Sequence, residues 1–229
     1  MANSLACADC PARDRAACSA LTEVQRDDLA RLGYHRTLRR REALFASGDE
    51  NLCATLITGA LKISSFDEHG TERILALVHP AGFVGEMFAP VANHDVIALT
   101  DSKLCVFSRK DYEGAVDRFP SLAKALLRRS AEDLFETRTL IELMARRTAS
   151  QRVSGFLLAM AKAASTSPCH PAPHFNLPLT RGEIAGLLGL TIETVSRQLT
   201  QLERDSVIVR NGSRGIRLAD AKRIEALAA

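Results

Sequence analysis

Apolar and polar positions change period along this chain. A helix-spaced run from Thr22 to Leu32 is followed by short alternating stretches, clearest in Leu56-Ile57-Thr58-Gly59-Ala60-Leu61-Lys62-Ile63 and Leu75-Ala76-Leu77-Val78. Gly48, Gly59, Gly70, Gly82 and Gly85 punctuate these runs. Brief β-prone segments separated by turn residues predict a small antiparallel barrel or roll over residues 21–118. From Pro120 the period becomes helical and stays so to about Ala164. Leu127, Leu134 and Ile141 recur every seven residues, and Ser130, Thr137 and Met144 follow each of them by three. That spacing is a heptad seam with an apolar first position and a mixed second one. An amphipathic helix lying on its own domain would give a similar pattern. Leu122, Leu126, Leu140 and Leu143 form a second stripe able to make that internal contact, which leaves the heptad for a second copy of the chain.

Residues 165–229 begin with a Ser- and Pro-rich stretch, Ser165 to Pro178, that reads as a linker. Thr180-Arg181-Gly182-Glu183 has the form of a capping box, so a helix is expected from Arg181. Ile184, Leu187 and Leu188 give it an apolar face, Gly189 ends it, and Thr191 can cap a second helix to about Leu202. Two helices joined by a tight Gly-containing turn make the DNA-binding helix-turn-helix, whose second helix enters the major groove. Val195, Leu199 and Leu202 would face inward, leaving Glu193, Thr194, Ser196, Arg197 and Gln201 outside. Arg can bond both acceptors of a guanine edge, Glu can accept from cytosine, and Ser can reach a base or a phosphate. The plainer reading of Glu193 and Arg197 is an ion pair on a solvated helix face. Ser206 to Leu218 then reads as strand, Asn211-Gly212 turn and strand. This is a wing that places Arg210 and Arg214 near phosphate.

Composition narrows the partners. The formal net charge is only +3, so it does not by itself select one. Aromatics are 5% of the chain with no Trp, which disfavours base stacking as the mode of nucleic-acid binding. No apolar run is long enough to span a membrane, and the N-terminus lacks a basic-then-apolar signal pattern, so a cytoplasmic location is expected. In that compartment clustered cysteines point to metal or redox chemistry rather than structural disulfides.

The cysteines have such a cluster. Cys7, Cys10 and Cys18 lie in the first 20 residues at metal-ligand spacing, and Cys105 sits in the apolar run Leu104-Cys105-Val106-Phe107. Four thiolates suit an iron–sulfur cubane and equally suit zinc. Cys53, among strand residues, reads as a small buried hydrophobe, and Cys169 in the linker as a bystander. His69, His79 and His94 are scattered, with no catalytic spacing, nucleophile motif or phosphate-binding glycine loop, so an enzyme is not expected.

Taken in order, the roll, the long helix and the winged motif resemble the Crp/Fnr family of transcription regulators over nearly the full length. The resemblance implies an α+β fold divided into a cysteine arm (1–20), a cyclic-nucleotide-binding-like jelly roll (21–118), a dimerisation helix and following helix (119–164) and a winged helix-turn-helix (165–229). Leu190-Thr191-Ile192-Glu193-Thr194-Val195-Ser196-Arg197 resembles the family's recognition helix, in the form associated with TTGAT-type palindromes. It implies a homodimer on double-stranded DNA, with RNA polymerase as a further partner through surface loops of the roll and the Ser165–Phe175 stretch.

Within the family, the cyclic-nucleotide branch carries a Gly-Glu pair and then an Arg that binds the cyclic phosphate. Gly85-Glu86 is present. Aligned on Thr100 and Ser108, however, the Arg-Ser position falls at Ala92-Asn93, and no Lys or Arg lies between Gly85 and Thr100. A phosphate without a cation or donor nest is poorly held, so cyclic AMP is not expected. The cysteines instead resemble the oxygen-sensing fumarate-and-nitrate-reduction branch, with a longer-spaced variant of its N-terminal cluster. That resemblance implies Cys7, Cys10, Cys18 and Cys105, the last deep in the roll, as ligands of an oxygen-labile 4Fe-4S cluster that favours the dimer. A zinc-structured or thiol-redox regulator of the same fold is the alternative.

Overall fold

The computed structural model describes residues 7–146, 148–165 and 170–229 and divides into two compact units, Met1–Phe135 and Glu136–Ala229. In the first, a 3-10 turn (Ala17–Ala20) leads into α1 (Glu23–Leu32). Thr22 and Gln25 form a full capping box at its start. Eight strands follow: β1 (Gly33–Leu38), β2 (Ala43–Phe45), β3 (Leu52–Thr58), β4 (Leu61–Phe66), β5 (Glu72–Val78), β6 (Phe83–Val84), β7 (Asp95–Ala98) and β8 (Ser102–Ser108). They pair antiparallel as two four-stranded sheets, ordered β1-β8-β3-β6 and β2-β7-β4-β5. This is the expected roll. The run Leu56 to Ile63 is broken by a turn at Gly59, where φ is +100° and a Cβ would come within 2.7 Å of the Asp101 carbonyl oxygen. Only glycine is accommodated there without strain.

Strand alternation divides the first sheet's side chains between two faces. Ala54, Leu56, Leu104 and Val106 point into the roll, where they join Leu61, Val96 and Ala98 of the other sheet in one buried core. Cys53, Phe107 and Cys105 belong to a separate apolar layer with Leu29 of α1, Tyr112 of α2 (Arg109–Arg118) and Leu122 and Leu126 of α3 (Pro120–Ala145). Cys105 is therefore not deep in the roll. It sits on the outer face of the sheet, under α1 and the N-terminal arm. The register that puts it there pairs Cys105 with His35 of β1 and Thr55 of β3.

The helical run ends at α3 and resumes in α4 (Ala149–Ala163), again under a capping box, from Thr148 and Gln151. Of the second stripe on α3, Leu122, Leu126 and Leu143 are buried and Leu140 is half-buried. The heptad positions are turned outward: Leu127 is 72% exposed, Leu134 51% and Ile141 62%. Ser130 and Met144 are exposed as well, and Thr137 is half-buried.

In the second unit, α5 (Arg181–Leu188) and α6 (Ile192–Arg204) form the helix-turn-helix. Thr180 and Thr191 cap them, and Gly189 closes α5 in the left-handed conformation at φ +61°. Strands β9 (His174–Asn176), β10 (Ile208–Asn211) and β11 (Gly215–Leu218) make a sheet ordered β10-β11-β9, and α7 (Ala221–Ala228) ends the chain. The stretch read as a linker thus contributes a strand. Phe175 is buried opposite Ile216 there, and β11 supplies the hydrogen bonds that three residues cannot make among themselves. Cys169 lies outside the described residues. Among the described residues, no helix is long and apolar enough to cross a membrane.

Candidate metal centre and DNA-reading surface

The arm folds as consecutive tight turns. The Cys10 amide donates to the Cys7 carbonyl at 3.4 Å, Arg13 to Cys10 at 3.0 Å, Ala16 to Ala12 at 2.9 Å and Leu21 to Cys18 at 3.2 Å. Small residues let these turns lie flat: Ala12 and Ala16 are buried against Ala81 in the loop between β5 and β6, with Cys10 and Cys18 packed beside them. The result is that Cys7, Cys10, Cys18 and Cys105 line one cavity. All four thiols are free and half-buried. Among the described residues, no three His, Cys, Asp or Glu side chains converge closely enough for a single metal ion. The thiols ring a space rather than a point.

Electrostatics make the four thiols interdependent. Burial, then the negative charge of Cys10, Cys7 and Cys18, pushes the Cys105 thiol up to about 12. Burial followed by Cys7 and Cys10 takes Cys18 to about 11, and burial and Cys10 raise Cys7. The Arg26 guanidinium opposes the rise at both Cys7 and Cys18. At neutral pH such thiols keep their protons until a cation replaces them, so metal uptake releases protons. A soft-metal group fits this donor set. Cys53 does not belong to it. It is fully buried opposite Phe107, does not line the cavity, and is pushed up to about 12 first by burial and then by Glu113.

Arg26 escaped the sequence reading. It is 8% exposed, lines the cavity, and donates from Nε to the Cys18 carbonyl (3.3 Å) and from a terminal nitrogen to the Leu21 carbonyl (3.1 Å). Its signal was available: Arg26 shares a helix face with the buried Leu29 and Ala30, where a charge is unusual.

The Gly85-Glu86 pair is used within its own loop. The Glu86 carboxylate accepts from the Asn93 amide (3.2 Å) and the Asn93 side chain, and meets His94 Nδ1 at 3.0 Å. Asn51 holds the same loop from the other side, its Oδ1 accepting from the Glu86 amide at 3.2 Å. Ala92 is buried and Asn93 exposed.

On α6, Val195, Leu199 and Leu202 are buried, while Glu193, Arg197 and Gln201 are exposed and Thr194 and Ser196 half-exposed. Arg197 makes no hydrogen bond or ion pair among the described residues, so it does not pair with Glu193. The Glu193 carboxyl is held low by hydrogen bonds from its own amide and the Thr191 hydroxyl. Arg181, also unanticipated, donates to Ser196 Oγ at 3.3 Å. Two expected contact residues are engaged elsewhere. Gln201 donates to Asp205 at 3.0 Å, and Arg210 of the wing is held by Glu203 of α6, its Nε donating at 2.8 Å. Arg210 is therefore a strut between wing and helix, and Arg214, half-buried at the far end of the turn, is the wing's better phosphate candidate.

A double-sheet roll carrying a half-buried thiol quartet, together with a winged helix-turn-helix, defines the architecture of a DNA-binding regulator. Comparison with known proteins gives it a family. Residues 35–119 match the cyclic nucleotide-binding domain and residues 151–227 the Crp-like helix-turn-helix domain. The transcriptional activator protein FnrL of Cereibacter sphaeroides is 33% identical over 222 residues, covering 95% of this chain and 90% of the relative. The nitrogen fixation regulation protein FixK of Bradyrhizobium diazoefficiens is 30% identical over 232 residues, covering 97% and 94%. Among solved structures, FixK2 from Bradyrhizobium japonicum superposes with a TM-score of 0.77 at 27% identity, over 86% of this chain and 98% of that one. The chain belongs to the Crp/Fnr family of DNA-binding transcription regulators. The relatives are regulators, not enzymes.

Proposed function

We propose that this protein is a cytoplasmic, oxygen-responsive transcription activator, in which Cys7, Cys10, Cys18 and Cys105 hold a 4Fe-4S cluster and a homodimer reads TTGAT-type palindromes at anaerobic or microaerobic genes. The observation that carries this reading is the meeting of Cys105 with the three arm cysteines at one cavity, across nearly ninety residues of sequence. A bound cluster would supply an oxygen-labile link between the arm and the sheet. The chain's own residues do the rest. Ala12 and Ala16 clamp the arm onto Ala81; the adjoining Gly82 lies against Arg129 of α3, which also ion-pairs with Asp133 on its own helix at 3.0 Å. Seating or release of the arm thus reaches the helix that presents Leu127, Leu134 and Ile141 to a second copy. Two-fold symmetry of the pair matches a palindromic site, and RNA polymerase is the further partner an activator requires. Cyclic nucleotide is not part of the reading, since Glu86 is spent on Asn93 and His94 and the loop supplies no Lys or Arg.

Metal analysis tests the cluster directly. Anaerobically purified protein should contain about four iron and four sulfide per chain, as a cubane requires. Stoichiometric zinc without iron or sulfide would replace this reading with the zinc-structured regulator.

Base reading is tested separately. Arg197→Ala should cost about 1–3 kcal/mol on the palindrome and relax preference at one base pair, as loss of a bidentate guanine contact does. Arg214→Ala should weaken binding to all sequences alike and lower the salt slope. Arg210→Ala should leave the salt slope nearly unchanged while loosening the wing. Binding to the palindrome and single-base variants at two salt concentrations separates the three. Uniform loss in Arg197→Ala would make Arg197 a backbone clamp.

A further inference from the structure

Two cations are buried among the described residues, and they are not alike. Lys62 is matched by Glu72, 2.6 Å away. Arg26 has no acidic partner among the described residues. Its two hydrogen bonds go to neutral carbonyls, Cys18 and Leu21, which satisfy donors without neutralising charge. A buried charge without a counter-charge is costly, and a protein retains one where something anionic comes to it. The guanidinium lines the cavity ringed by the four thiols. Four thiolates around a dicationic metal core leave a net negative site, whereas the metal-free cavity brings Arg26 no carboxylate among the described residues.

We infer that Arg26 is the built-in counter-charge of the metal-loaded cysteine site, its guanidinium aimed at the cavity by its bonds to the Cys18 and Leu21 carbonyls. This deepens the cluster reading and rests on it for the identity of the metal group. It makes the loaded and metal-free proteins respond to the same substitution with opposite sign. Removing a buried charge relieves the metal-free state and deprives the loaded state of its neutralising partner.

The test uses the full-length chain as wild type, Arg26→Met and Arg26→Lys. Metal-free Arg26→Met should melt at or above the wild-type temperature, because an aliphatic side chain of similar length fills the space without a charge. In the anaerobically loaded proteins, release of iron to a chelator should be faster by about tenfold or more in Arg26→Met, with Arg26→Lys between it and wild type. A purely structural tether predicts the reverse: a lower metal-free melting temperature in Arg26→Met and unchanged release once loaded. Either of those results overturns the inference. If the wild type takes up zinc alone, the cluster reading fails, and the counter-charge stands or falls on the same release comparison made with zinc.

Discussion

Cys105→Ser should leave the anaerobically purified protein without iron and sulfide and without visible absorbance, while Cys53→Ala keeps both. The two residues lie two positions apart along paired strands, since Cys53 faces Phe107 and Thr55 faces Cys105. Both point to the same outer face, and burial pushes both thiols up to about 12. What separates them is position relative to the arm. Cys105 borders the cavity and feels Cys10, Cys7 and Cys18, whereas Cys53 is enclosed by Phe107 and Tyr112. Alanine is the right control at Cys53, because a serine hydroxyl buried there without a partner would itself cost roughly 1–3 kcal/mol. A serine at position 105 retains a polar atom but no soft thiolate, so the loss should be of occupancy rather than of fold. Cys7→Ser, Cys10→Ser and Cys18→Ser should behave like Cys105→Ser. A full complement of iron and sulfide in Cys105→Ser would remove that residue from the ligand set.

How far the sequence discloses these features depends on how local their causes are. The helix-turn-helix is legible because its caps are: Thr180, Gly189 and Thr191 act on backbone groups within a few residues of themselves. The outward heptad is legible because helical period assigns Leu122 and Leu126 to one face and Leu127 to another without reference to the rest of the chain. The four cysteines can be gathered by chemistry and by family resemblance, but the face of the sheet that Cys105 occupies is fixed by pairing with His35 and Thr55, many residues away. Strand β9 was hidden for the same reason, since nothing in Pro171 to Pro178 demands a strand until β11 is alongside. The Arg210–Glu203 strut and the burial of Arg26 depend on tertiary neighbours. Arg210 was read from side-chain type alone, as a phosphate contact, and the fold pairs it with Glu203, while Arg26 gave no local signal strong enough to single it out.

Leu134→Glu or Ile141→Glu should convert the anaerobic dimer to a monomer whose roll and winged domain remain folded. Both side chains are more than half exposed on the single chain, so neither substitution removes a buried core contact from the monomer. Leu126 and Leu143 on the same helix are buried, and a carboxylate at either would be expected to damage the fold itself. In a two-fold dimer each substitution acts twice. Burying a leucine or isoleucine is worth about 1.5–3 kcal/mol, so the paired loss is on the order of 3–6 kcal/mol before the cost of desolvating two carboxylates. That weakens the dimer by about two orders of magnitude or more, enough to shift it to monomer at micromolar concentration. In the proposed dimer, Ser130 and Thr137 at the alternate seam positions would make the wild-type interface weaker than an all-aliphatic one. Such an interface is one that the arm, acting through Gly82 and Arg129, would be able to tip. Sedimentation of metal-loaded protein across a concentration series measures the shift, and circular dichroism confirms the fold. A mutant dimer with wild-type concentration dependence would place the subunit interface elsewhere and leave the exposed heptad unexplained.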